Sequence, residues 1–238
     1  MGAPINLKDL TIRIEDATSL TGKVNHAMGY AMGVATLTVD TFTTEVPVGS
    51  RVEFSAQPGV IYTVTASSGT PATSITITPV LAASVADNED IAVGPNFIDV
   101  TIGEGNAEWT EKQNVEYIKD RGILDSTREG DDEPMEVTLD FRFEKITGTS
   151  TDVLPTVEDA IKFRGPAANW VATNADTCSS PRTVNISILE TPPCSGVENQ
   201  LFVFPDFAWE QLAHDFKAGT VKMTGKCNAV EPTVSRNV

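Results

Sequence analysis

From Met135 to Glu144 the chain alternates apolar and polar residues without interruption: Met135, Val137, Leu139, Phe141 and Phe143 against Glu136, Thr138, Asp140, Arg142 and Glu144. A helix would need apolar residues at i, i+3 and i+4, and these positions do not supply them. A period of two belongs to a strand with one face in a core and the other in water. At ~3.3 Å per residue the run predicts a strand of about 33 Å, long for a globular protein.

The rest of the chain reads the same way. Thr11-Ile12-Arg13-Ile14 alternates, Ile98, Val100 and Ile102 share a face, and Val184, Ile186 and Ile188 alternate with polar neighbours. Val221 and Met223 do so after a turn at Ala218-Gly219. One helix is predicted near 156–164. Thr156 is placed to cap it and Asp159 to complete a capping box; Val157, Ala160, Ile161 and Arg164 follow helical spacing, and Gly165-Pro166 ends it. Phe207–Phe216 is ambiguous: Trp209, Leu212 and Phe216 fit a helix, whereas the Gly219 turn and the strand after it fit a hairpin. The neighbouring strands favour a strand. The fold class is therefore all-β with one short flanking helix.

Residues 35–94 differ from their surroundings. They hold 11 Thr, no Lys, one Arg and six acids. Short β runs at Thr36–Val39, Arg51–Phe54, Ile61–Thr65 and Ser74–Thr78 are punctuated by Gly and Pro. This predicts a small β domain inserted into a larger one made of 1–34 and 95–238. The alternative is an elaborated part of one continuous sandwich.

Charge narrows the function. Seventeen Lys and Arg oppose 33 Asp and Glu, for a net charge of −16. A free-standing nucleic-acid binder is usually basic because it must neutralise phosphates. This chain repels DNA and anionic lipid alike, which suits a conduit that DNA slides through. No run of 18 apolar residues is present, and no basic stretch leads into an apolar one after Met1, so neither a spanning helix nor a secretory signal is expected. Cys178, Cys194 and Cys227 are too few for a disulfide framework and read as reduced thiols. His26 and His214 lie in no metal-ligand spacing, and no nucleophile elbow or phosphate-cradling glycine loop is present. The acidic run Glu129–Glu133 lacks the alternating oxygens of a calcium loop. No enzyme site, metal site or cofactor site is expected.

One stretch points further. Asn114–Asp125 runs through Lys119-Asp120-Arg121-Gly122 into Arg128-Glu129-Gly130-Asp131-Asp132-Glu133-Pro134-Met135-Glu136-Val137. A strand, a glycine-bearing acidic loop and a "P-M-E-V" opening a long alternating strand resemble the central region of major tail tube proteins of long-tailed, non-contractile (siphovirus-type) double-stranded DNA bacteriophages. The segment from Phe204 to Trp209, with Gly219-Thr220-Val221 and Gly225-Lys226, is similar to the closing hairpin of that family. The resemblance covers roughly 100–147 and 155–228. It implies a two-sheet β-sandwich, or partial barrel, whose sheets join those of neighbouring subunits in a ring of six. Rings stack into the virion's tail tube, assembled in the bacterial cytoplasm, which carries DNA to the host. The implied partners are the chain itself, a tape measure protein and DNA in the lumen without specific binding, and tail terminator and tail tip proteins at the ends. No membrane, no cofactor and no enzymatic activity are implied.

Physical expectations accompany this. A barrel wall wants strands apolar on the packed face and polar on the lumen face, and joining sheets removes open edges. The polar row Glu136, Thr138, Asp140, Arg142 and Glu144 is therefore expected to line the lumen; the alternative places it outside. The 35–94 segment is expected on the exterior, since 60 residues projecting inward would obstruct the duplex. The loop 120–134 is expected to bridge subunits or rings, with Arg121 and Arg128 pairing with acids such as Glu129, Asp131, Asp132 and Glu133 of a neighbour; the alternative is a solvated tip. Competing classes are another acidic virion protein (tail terminator or capsid decoration) and a carbohydrate-binding sandwich using Trp109, Trp170 and Trp209 as a platform.

Overall fold

The computed structural model describes residues 10–100, 106–121, 123–142, 155–174, 181–191 and 198–236. Ile102, Phe143, Glu144, Cys178 and Cys194 lie outside them. The first strands are β1 (Leu10–Glu15), β2 (Leu20–Val24), β3 (Thr36–Asp40), β4 (Arg51–Phe54), β5 (Tyr62–Ser68), β6 (Ser74–Thr78), β7 (Asp90–Val93) and β8 (Phe97–Val100). Next come β9 (Ala107–Thr110), β10 (Val115–Asp120), β11 (Ile123–Glu129) and β12 (Glu136–Arg142), then helix α1 (Val157–Lys162). The last are β13 (Val184–Glu190), β14 (Gln200–Asp215), β15 (Thr220–Cys227) and β16 (Thr233–Arg236).

The chain divides into two compact units. One comprises Glu15–Ile98 with Lys145–Ala175; the other comprises Met1–Ile14, Asp99–Glu144 and Asp176–Val238. The first is wider than the 35–94 segment expected from composition. Strands β2-β3-β6-β5-β4-β7 form a closed barrel, and β2 pairs with both β3 and β7. The barrel cannot close without Leu20–Val24, a strand whose sequence LTGKV carries little alternation. Its interior is apolar, with Val24, Leu37, Phe54, Tyr62 and Ile75 fully buried. The buried Tyr62 hydroxyl donates to Gln57 Oε1 and accepts from the Ala82 amide at 3.0 Å, so its polar end is satisfied.

Helix α1 belongs to this unit, not to the larger sheet as expected. Thr156 Oγ1 accepts from the Asp159 amide at 3.2 Å, and the Asp159 carboxylate accepts from the Thr156 amide at 3.1 Å, so the capping box forms as predicted. Phe163, left-handed at φ 51°, ends the helix. The segment after it is tied to the strand entrance by a buried carboxylate. Asp16 accepts from the Thr18, Asn96 and Val171 amides at 3.0, 2.7 and 3.1 Å, and from the Asn96 side chain at 3.0 Å. A charge that is 2% exposed is tolerable only with this many donors.

The second unit is built on an eight-stranded sheet, ordered β8-β1-β13-β14-β15-β12-β9 with β16 paired to β14. The alternation of the longest predicted strand is realised in β12: Val137, Leu139 and Phe141 are buried, Glu136, Thr138 and Asp140 half-buried, and Arg142 exposed. The ambiguous 207–216 segment is strand, part of the 16-residue β14. That strand bends at Asp206, where φ is +50° and the amide donates to Asn185 Oδ1 at 3.1 Å. Residues before the bend pair with β13 and β16; Phe207, just after it, pairs with both Val184 on β13 and Cys227 on β15, and the residues beyond pair with β15. Trp109 on β9 is three strands from β14, about 14 Å in a flat sheet at ~4.8 Å per strand. Its ring centroid nevertheless lies 5.4 Å from that of Phe204 and 5.7 Å from that of Phe202. The sheet therefore curls over its own apolar face. Gly225 permits the tight β14–β15 contact, since a Cβ there would sit 2.2 Å from the Ala208 carbonyl oxygen.

Candidate functional site

The polar face of the sheet is set by register. Glu136 lies opposite Lys226, Thr138 opposite Thr224, Asp140 opposite Lys222 and Arg142 opposite Thr220. On the far side of β12, Glu108 faces Thr138. Beyond β15, Asp215 faces Thr220, and Glu210 reaches Lys226 at 3.9 Å. Glu136 also meets Lys112 at 3.4 Å. On β9, β12, β14 and β15 this face carries five carboxylates (Glu108, Glu136, Asp140, Glu210, Asp215) against three cations (Arg142, Lys222, Lys226). It is a mixed-sign surface with opposite charges facing across strands, and most of the chain's acid excess lies elsewhere. The row Glu136, Thr138, Asp140 and Arg142 shares one face, as the alternation requires; its last member, Glu144, is outside the described residues. Sequence reasoning missed Lys222 and Lys226, because cross-strand partners 82 and 90 residues away leave no local signal.

The 120–134 segment is not one long loop. β10 and β11 form a two-stranded antiparallel ribbon with Arg121, whose φ is +50°, at its tip and a bulge at Ile118–Lys119. Only Gly130 to Pro134 runs as a connection into β12. The alternation of Val115 with Tyr117, followed by a glycine and a second β run, was the available signal; the acids around it masked it. Arg128 is ion-paired with Glu116 across the ribbon, so its charge is neutralised within the chain rather than held free for a neighbour. Arg121 is exposed at the tip, while Glu129, Asp131, Asp132 and Glu133 are exposed at the base. Glu133 meets Lys112 at 3.9 Å. The base also holds a concavity of about 400 Å³ lined by Glu111, Lys112, Gln113, Asn114, Glu129–Asp132, Val230 and Glu231.

The Cys227 thiol is placed unfavourably for nucleophilic chemistry. Cys227 is buried, and its thiol is pushed up to about 12, first by burial and then by the Asp206 charge; that opposes the thiolate a nucleophile needs. His26 stacks on Tyr30 with ring centroids 4.6 Å apart, and His214 sits half-buried on β14. Among the described residues no group of three or more His, Cys, Asp or Glu gathers to hold a metal. Of the tryptophans, Trp170 is buried, Trp109 packs on Phe202 and Phe204 with its indole N–H donated to Glu111 at 2.9 Å, and Trp109 and Trp209 are 39% and 37% exposed. No helix among the described residues is long and apolar enough to cross a membrane. No protein family, no curated protein and no solved structure matches the chain.

Proposed function

We propose that the chain is the repeating subunit of a bacteriophage tail tube: six copies close into a ring, rings stack, and the tube conducts DNA from capsid to host. The observation that carries this reading is β12 and its neighbours, a sheet with one row of side chains buried and the other, Glu136, Thr138, Asp140 and Arg142, polar and half-buried to exposed. Such a sheet makes a wall with a packed side and a wetted lumen side. Its end strands, β8 and β9, each have one partner among the described residues. Unpaired edges invite pairing, and joining neighbours' edges around a ring satisfies them. A lumen lined by paired opposite charges gives a polyanion no continuous basic track to grip, while the net charge of −16 repels it overall. The tape measure protein and DNA then occupy the lumen without specific contacts, terminator and tip proteins close the ends, and the barrel of β2–β7 decorates the exterior. The chain works in the virion, assembled in the host cytoplasm, as structure rather than catalyst.

Negative-stain electron microscopy of the purified protein at high concentration tests this. Hollow, open-ended tubes are the expected result. Single rings that never stack would instead favour a tail terminator, and a monomer at every concentration would overturn the assembly reading.

A further inference from the structure

The β10–β11 ribbon stands as a separate two-stranded sheet. An isolated hairpin is marginal in water and needs a hydrophobic face against something else. Register places Val115, Tyr117 and Leu124 on one of its faces, together with Lys119, Thr127 and Glu129, and Ile118 on the other. Tyr117 is 64% exposed and Leu124 56%. The ribbon's two ends carry opposite character. At the tip, Lys119 and Arg121 flank the exposed Asp120, for a net charge of +1, and neither cation has an ion-pair partner among the described residues. At the base, the concavity gathers Glu111, Glu129, Asp131, Asp132 and Glu231. Its one cation, Lys112, is engaged by Glu133 and Glu136. Strands of six and seven residues separate the two ends by about 20 Å. A single rigid ribbon cannot bring its own tip to its own base.

We propose that the Val115, Tyr117 and Leu124 face of this ribbon docks on a second copy of the chain in a heterologous, tip-to-base contact. Val115, Tyr117 and Leu124 are covered there, and Lys119 and Arg121 enter the acid-lined concavity of the neighbour. This rests on the self-assembling reading above and names the surface that propagates it. Charge complementarity selects the partner, since the chain presents both halves of the match at opposite ends of one element. A contact between unlike patches leaves each copy with one donor and one acceptor free, so it continues from copy to copy. The aromatic and the leucine supply the buried area, and the charges set register and approach. Arg128, held by Glu116, takes no part.

Sedimentation velocity over a concentration series, at low and high salt, tests this with four full-length variants: Tyr117→Ser with Leu124→Ser, Arg121→Glu, Asp132→Lys, and Arg121→Glu with Asp132→Lys. All these positions are exposed, so folding should be retained, as circular dichroism will verify. The first three should each weaken self-association by roughly tenfold or more. The charge-exchanged double variant should recover part of the wild-type association relative to either single charge variant, because the exchange restores one opposite-charge pair between the tip of one copy and the base of the next. Wild-type association should fall with salt. A monomeric wild type, or variants that associate as the wild type does, would overturn the proposal. Electron micrographs of the same samples separate this inference from the tube. Tubes from every variant would leave the tube reading standing and refute the ribbon contact. Association that responds to the variants but yields no tubes would do the reverse.

Discussion

Asp16 and Cys227 are two buried groups whose chemistry makes measurable demands. The Asp16 carboxylate gathers backbone donors from three separate stretches, at Thr18, Asn96 and Val171. Asp16→Ala would leave those amides buried and unpaired, and should destabilise the barrel-bearing unit by roughly 3 kcal/mol, read from denaturant midpoints. Asp16→Asn keeps the shape but turns an NH₂ toward donors, so it should recover only part of the loss. Cys227 behaves differently. Its thiol, raised from about 9 to about 12, stays neutral in the fold while the unfolded chain ionises. Its contribution to stability is therefore complete below about pH 9 and is lost as pH climbs toward 12. In the native protein at pH 8, mass-spectrometric mapping should find Cys227 unalkylated by iodoacetamide, and in denaturant fully alkylated. Rapid native labelling would show that the β14–β15 contact opens freely.

Individual elements carry the next set of consequences. β12 is paired along its whole length with β15, and Leu139 sits opposite Met223 on the dry face. Leu139→Ala should cost about 2–5 kcal/mol by transfer and cavity terms. On the wet face, register changes what a charge substitution does. Glu136→Lys and Asp140→Lys would each place a lysine opposite an existing one, Lys226 or Lys222. Like charges directly across a ladder repel, so the pair should lose roughly 1 kcal/mol, whereas Glu136→Gln with Asp140→Asn should stay closer to wild type. Thermal melts of the two double variants rank them. Gly225→Ala should be harsher than either, because the added methyl would meet the Ala208 carbonyl and the Phe207 ring.

For the whole molecule, the division into units decides where the chain tolerates surgery. Removing 35–94 and bridging the gap would delete β3–β7 but retain β2, which pairs with β3 and β7 in the closed barrel. That strand would keep two unpaired edges and the bared Val24. The deletion should therefore aggregate on purification, as light scattering would record. If the shortened chain stays soluble and polymerises, β2 is dispensable and the barrel is not a unit of stability.

Much of this architecture was legible in the residues. The alternation in β12, the strands at Thr36–Val39, Arg51–Phe54 and Ser74–Thr78, and the Thr156–Asp159 capping box were all readable from neighbours a few positions apart. Period and capping are local physics, so local sequence carries them. The charged row Glu136, Thr138, Asp140 and Arg142 was legible as a face for the same reason. Its partners were not: Lys222 and Lys226 come opposite it only through β12–β15 register, a contact between distant stretches. Barrel closure through the weakly patterned β2, the membership of α1 in that unit and the bend of β14 at Asp206 were likewise decided by tertiary structure. Each satisfies backbone hydrogen bonds or covers apolar surface across long chain separations, and no short window of sequence records which distant strand will supply the match.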